Sequence, residues 1–171
     1  MYRKSLNGIH CSTARALDEV GEWWSLMIVR ECTLGTNRFD EFQRRLGIAR
    51  NVLTNRLNHL IKHEIIRKVR VAESERFLCY QLTTKGEALY PVLVALLQWG
   101  DRWTGSRDGG PIRLVDKLTG ELVDLMTPRS ADGSVLTFRD IRLEANPCAD
   151  ENTSEIIAER NRVILGEEST A

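Results

Sequence analysis

A chain of 171 residues, with 24 Lys and Arg balanced by 24 Asp and Glu, can bury a proper core as one domain or as one domain with an appended piece. It contains no run of about 18 apolar residues, which excludes a spanning helix. The start MYRKSLNGIHCSTARALDE lacks the apolar stretch of a signal peptide, so a cytoplasmic protein is expected.

Cys11, Cys32, Cys79 and Cys148 are widely spaced without a C-x-x-C pair, which suits reduced structural thiols better than a disulfide framework. Neutrality hides a division. Residues 1–103 carry 16 basic against 11 acidic side chains, and residues 104–171 carry 8 against 13. Within 38–70 the count is 9 to 3, the local stripe expected of a phosphate-binding surface or, more blandly, of a solvated charged face.

Residues 1–12 read as an unstructured arm. A helix is expected from Thr13, its N-cap, with Ala14, Ala16, Leu17 and Val20 as helix formers or core contacts, and Gly21 interrupts it. WWSLMIVRECTL, from Trp23 to Leu34, is almost wholly apolar and predicts a helix buried on most sides, ended by Gly35. Phe39, Phe42 and Leu46 then supply the i, i+3, i+7 face of a short helix. Gly47 stands where a left-handed residue would close that helix, and Ile48 plugs the turn.

The next pattern sets Leu53, Leu57, Leu60 and Ile61 on one apolar face. Asn51, Asn55, Asn58, His59 and Lys62 turn away from it, and Arg50 and Thr54 stand at the leading end. Arg can grip guanine O6 and N7 bidentately, and Asn can do the same to adenine N6 and N7. Phe39 to Lys62 therefore matches a helix-turn-helix whose second helix reads the major groove, though similar hairpins occur in proteins that never touch DNA.

Ile65 to Val71 and Phe77 to Leu82 are strand-like and flank a polar stretch, which predicts a β-hairpin directly after the reader helix. Its Lys68, Arg70 and Arg76 could follow a phosphate backbone, completing a winged helix. Thr83 or Thr84 caps a long helix, with Glu87 at capping-box distance from Thr84. Pro91 either bends that helix or marks a shifted start. Leu89, Val92, Leu93, Leu96, Leu97, Trp99 and Trp103 form a stripe broad enough for core or, as favoured here, for pairing with a second subunit. Residues 104–111 are a linker by composition. Beyond it a small hairpin is expected over Ile112–Asp116 and Glu121–Met126, a further strand over Ser134–Leu143 and a short helix over Ile156–Leu165.

Several elements of this series carry a resemblance. Cys11-x3-Arg15-Ala16-Leu17-Asp18, Val20-Gly21-x-Trp23 and Arg38-Phe39-x2-Phe42 resemble the HxlR-type family of bacterial transcriptional regulators. So do Val52-Leu53-Thr54-x-Arg56-Leu57-x2-Leu60, Tyr80-x-Leu82-Thr83-x-Lys85-Gly86 and Trp99-Gly100. The similarity runs from about Cys11 to Trp103. It implies a MarR-like dimeric winged helix on a near-palindromic operator, with the first helix and the Leu89–Trp103 helix forming the dimer interface. It also implies that Cys11 is either a sensor of oxidants, quinones or aldehydes or an inert packed thiol. Arg15 and a protonated His10 could favour its thiolate. Cys32 and Cys79 read as core, and Cys148 as surface. By the same resemblance, some longer relatives carry an extension whose His and paired Cys-Gly turns suggest a small metal-binding ribbon. Here the comparable turns, Asp116-x2-Thr119-Gly120 and Ala131-x-Gly133, lack Cys and His, so no metal or cofactor is expected.

The fold class expected is α+β, mainly α. It comprises an arm over 1–12, a winged helix-turn-helix domain with flanking dimerisation helices over 13–103, a linker over 104–111 and a small β-containing extension over 112–171. The function expected is a homodimeric transcription regulator on an inverted-repeat operator in double-stranded DNA, with no membrane partner. It would answer a redox or electrophile signal, or a small-molecule effector. Base reading falls to Arg50, Asn51, Thr54 and Asn55. Backbone and wing contacts fall to Arg38, Arg56, Asn58, Lys62, Lys68, Arg70 and Arg76, with an internal salt bridge as the rival role for Arg56. Leu17, Leu89, Leu93, Leu96, Trp99 and Trp103 form the dimer interface. A protein-interaction winged helix without an operator is the alternative. An enzyme is not expected: its best material, His59-x3-His63, lacks a third ligand.

Overall fold

The computed structural model describes residues 5, 6, 8–71, 74–105 and 110–165, except the side chains of 71, 74–77 and 165. Its elements are α1 (Ser12–Val20), α2 (Trp23–Thr33), α3 (Phe39–Leu46), α4 (Arg50–Lys62), β1 (Ile66–Val71), β2 (Ser74–Leu82), α5 (Thr84–Glu87), α6 (Tyr90–Trp103) and α7 (Glu151–Leu165). The architecture is mainly helical with one two-stranded antiparallel sheet, the winged helix-turn-helix that the pattern predicts.

Helix α2 is the hub, touching α1, α3, α4, α6 and β2. Ile28 and Val29 on its inner face are fully buried against Phe42, Leu53, Leu57, Leu60, Ile65 and Ile66. Each such side chain contributes roughly 1.5–3 kcal/mol of transfer free energy. The expectation that this run is buried on most sides fails at its ends. Trp23 is 74% exposed, and Thr33 and Leu34 face solvent. Glu22 caps α2, its carboxylate accepting the Ser25 N–H at 3.3 Å.

Helix α1 starts two residues earlier than expected. Cys11, not Thr13, has the extended backbone of an N-cap (φ −143°, ψ 131°). The described part of the arm is tied down: Leu6 N–H donates to both Asp18 carboxylate oxygens at 3.0 Å, and Ser5 Oγ donates at 2.9 Å. Residues 1–4 and 7 lie outside the described residues.

The turn between α3 and α4 follows the sequence closely. Gly47 is left-handed (φ 62°), its N–H returns to Gln43 O at 3.0 Å, and Ile48 is 3% exposed. The hairpin pairs Ile66 with Leu82 and Lys68 with Tyr80, and a register shift follows Arg70. Strand β2 begins at Ser74, which pairs with Val71. Tyr80 N–H donates to Asn37 O (2.8 Å), stitching the hairpin to the loop before α3.

The long helix is split. Thr83 Oγ1 accepts the Gly86 N–H (3.1 Å) to cap α5, and α6 starts afresh with Pro91 in its first turn. There the missing proline N–H costs nothing, so a shifted start wins over a bend. In the extension the expected strands shrink to single bridges, Val115 with Leu122 and Arg129 with Val135. The terminal helix is longer than expected, because Asp150 accepts the Thr153 N–H at 2.8 Å and lets α7 begin at Glu151. Of the linker expected over 104–111, residues 106–109 lie outside the described residues. No helix among the described residues is long and apolar enough to cross a membrane.

Candidate nucleic-acid interface

Helix α4 holds Leu53, Leu57 and Leu60 at 0–1% exposure, so the orientation of the helix is fixed by its apolar face. The opposite face is thereby presented outward. Arg50, Asn51, Thr54, Asn55, Asn58 and Lys62 are all exposed. Helix α3 helps aim the leading end, for the Arg50 guanidinium lies 4.9 Å from the Phe39 ring centroid. Thr54 Oγ1 donates to Arg50 O at 2.9 Å, which leaves its oxygen able to accept.

Two residues of the expected outer face behave differently. Arg56 is half-buried, with Nη1 3.8 Å from Glu22 Oε2, so it joins α4 to the cap of α2. That is the internal role weighed against phosphate contact. His59 does not face solvent as expected: its Nε2 lies 2.8 Å from Glu19 O on α1. His63 lies beside it, the rings tilted 41° with centroids 4.4 Å apart, and Glu19 and Lys85 complete the cluster. Burial, then the neighbouring His59, pushes His63 below the ordinary imidazole value. Among the described residues no group of three or more His, Cys, Asp or Glu could hold a metal ion.

Arg38 is the exposed N-cap of α3. On the hairpin Arg67, Lys68 and Arg70 are exposed, and Lys68 Nζ stands 5.9 Å above the Tyr80 ring. The side chain of Arg76 lies outside the described residues.

The sequence reading missed the anchor of α3. Glu31 is 2% exposed, accepting from Thr36 Oγ1 at 3.0 Å and from Arg45 Nε, with Arg30 Nη1 at 3.2 Å. A buried carboxylate is tolerated only when paired and hydrogen-bonded. The signal was present: one carboxylate inside an almost apolar run demands partners.

Cys11 is exposed at the start of α1. The N–H groups of Ala14 and then Thr13 hold its thiol below the ordinary value. Arg15, expected to supply the field, contributes least and instead donates to Ser12 Oγ at 2.8 Å. His10 lies 3.6 Å from Asp150 rather than beside the thiol. Cys32 is pushed up to about 12 by burial and Glu31, Cys79 is buried and Cys148 exposed.

The model of the HxlR-like helix-turn-helix matches residues 19–108. The chain belongs to the HxlR-like helix-turn-helix family. The HTH-type transcriptional regulator Rv3095 of Mycobacterium tuberculosis is 35% identical over 136 residues, covering 80% of this chain and 86% of that protein. Among solved structures, PA1607, a proposed transcription factor, is 40% identical with a TM-score of 0.77, covering 84% of this chain and all of its own. The reduced form of the redox regulator HypR is 26% identical with a TM-score of 0.50, covering 54% of this chain and 92% of its own. This HxlR-like chain is thus a transcriptional regulator of the helix-turn-helix type and not an enzyme.

Proposed function

We propose that this regulator binds an inverted-repeat operator in double-stranded DNA as a homodimer. The observation that carries the reading is the split of α4, with leucines buried behind and Arg50, Asn51, Thr54 and Asn55 exposed at its leading half. Those four read base edges. Arg38, Asn58, Lys62, Lys68, Arg70 and Arg76 meet phosphates, and Arg56 chiefly orients the helix through Glu22. Two readers in successive major grooves stand about 34 Å apart. The dimer reading is supported by exposed apolar side chains on the two flanking helices: Leu17, Leu96, Trp99 and Trp103, with Leu89 and Leu93 half-buried beside them. The chain divides into the arm over 1–12, the winged-helix domain over 13–103, the linker over 104–111 and the extension over 112–171.

The signal assigned here is an electrophile or oxidant at Cys11, which is favoured by its exposure and by the helix N–H groups aimed at it. Modification next to the dimer helices would change reader separation and release one half-site.

The test is operator selection from random duplexes, followed by titration of variants. Asn51→Ala and Asn55→Ala should relax sequence preference by ~1–3 kcal/mol per lost base contact. Arg70→Ala should weaken binding across all sequences and lower the salt slope by about 1. Unchanged binding in all three variants would overturn the assignment and favour the protein-interaction reading.

A further inference from the structure

The extension holds its shape with polar clasps. On α6, Gln98 Nε2 donates to Asp124 O at 2.9 Å, and Gln98 Oε1 accepts from Met126 N at 2.8 Å. On α7, Arg160 donates to the carbonyls of Ile141 and Phe138 at 2.5 and 2.6 Å. Asn161 accepts from Leu143 N at 3.0 Å and donates to Leu143 O at 2.7 Å. Yet no described residue from 110 to 164 is buried, and the apolar core ends at Val94. Its large apolar side chains point outward instead. Leu118 is 93% exposed, Phe138 65%, and Leu122, Leu125 and Val135 more than half. An ordered segment whose best-covered apolar residues, such as Leu114, Leu136 and Ile141, are only half-buried gains little from burial and needs a second surface to offset its ordering entropy.

We propose that the extension is a second dimerisation arm, its apolar face buried by another copy of this chain together with the α6 stripe. The inference rests on the homodimer reading above.

A second copy fits for two reasons. Leu96 of the exposed α6 stripe and Ile112 and Leu114 of the extension line one groove of about 540 Å³, so the two apolar surfaces meet there. The groove is walled by α2, α6 and Pro111–Leu114. A two-fold interface uses the same patch on both subunits, so an apolar face that one copy leaves bare, the other leaves bare too. Secondly, a stable interface engages roughly 20–30 residues a side. The outward faces of the 9-residue α1 and the 14-residue α6 fall short of that, and the extension makes up the difference.

The full chain provides the test. A photoreactive p-benzoylphenylalanine replacing Leu118 or Val135 should give a covalent dimer on irradiation. Leu118→Glu combined with Phe138→Glu should weaken the dimer at least tenfold by sedimentation equilibrium. Circular dichroism should stay unchanged, because both side chains are exposed in the protomer. Cross-links confined to the monomer, or a dimer constant within threefold of wild type, overturn the inference while leaving a homodimer through α6 intact. A wild-type chain that stays monomeric overturns both readings. Strong enhancement of anilinonaphthalene sulfonate fluorescence by the full-length dimer would mean that the face is uncovered, and also overturns it.

Discussion

Glu31 offers the sharpest check on how α3, the helix before the reader, is held. Its side chain is 3% exposed, whereas those of Arg45 and Arg30 are 45% and 40% exposed. The carboxylate accepts from Thr36 Oγ1 and Arg45 Nε on one oxygen and lies against Arg30 Nη1 with the other. In Glu31→Gln the amide keeps one acceptor and turns its NH2 against a donor, whichever way it is flipped. One charge-assisted hydrogen bond is lost, which costs roughly 1.5–3 kcal/mol. The half-exposed arginines regain water, so a value in the lower half of that range, about 2 kcal/mol, is expected. Glu31→Ala also strands the buried Thr36 hydroxyl and opens a cavity, and should cost about 1–2 kcal/mol more. Urea unfolding near neutral pH measures both, and added salt should not close the gap, since the pair is shielded from screening. Glu31→Gln within ~0.5 kcal/mol of wild type, or Glu31→Ala no worse than Glu31→Gln, would refute the reasoning.

Gly47→Ala should lose about 1–2 kcal/mol because a Cβ is strained at φ 62°, and Gly47→Asn should recover part of it in the same unfolding assay. Gly86→Ala places a Cβ 2.2 Å from Ile65 O and should cost about 1–3 kcal/mol through a shift of β1 against α5. His63 has its pKa lowered by burial and by His59, against the pull of Glu19 and with Lys62 and Lys85 adding repulsion. The folded state therefore binds fewer protons than the unfolded one. Its stability contribution is full above 6.5 and is lost as pH falls below that value, so unfolding midpoints should drop on acidification and His63→Gln should flatten the drop. Iodoacetamide near neutral pH should label Cys11 first, Cys148 later and Cys32 last, as mass spectrometry of the peptides would show. Equal rates for Cys11 and Cys32 would contradict the placement of both thiols.

Local periodicity made the central part of this fold legible. Leucines at 53, 57 and 60 can share a face only in a helix, and Gly47 stands where only a left-handed residue closes the preceding turn. The same pattern located the exposed Arg50, Asn51 and Asn55, because the outer face follows once the inner one is fixed. It misjudged His59, whose outward position in the helical repeat meets α1 rather than solvent. It also overestimated strands in the extension, where alternating apolar residues yield only single bridges because no neighbouring strand or core supports them.

The sequence by itself determined the order of elements, the greasy back and polar front of α4, and the concentration of positive charge between residues 38 and 70. These are short-range properties, set by side-chain spacing along one helix or hairpin. Tertiary structure alone decided which charges are used up inside the molecule: Arg56 on Glu22, Arg45 on Glu31, Lys85 on Glu19. It also decided that Cys11 meets helix N–H groups more than Arg15, and that the extension keeps its apolar side chains on the outside. Ion pairs and burial join residues far apart in the chain, and nothing in the spacing of one element specifies the partner that another brings to it.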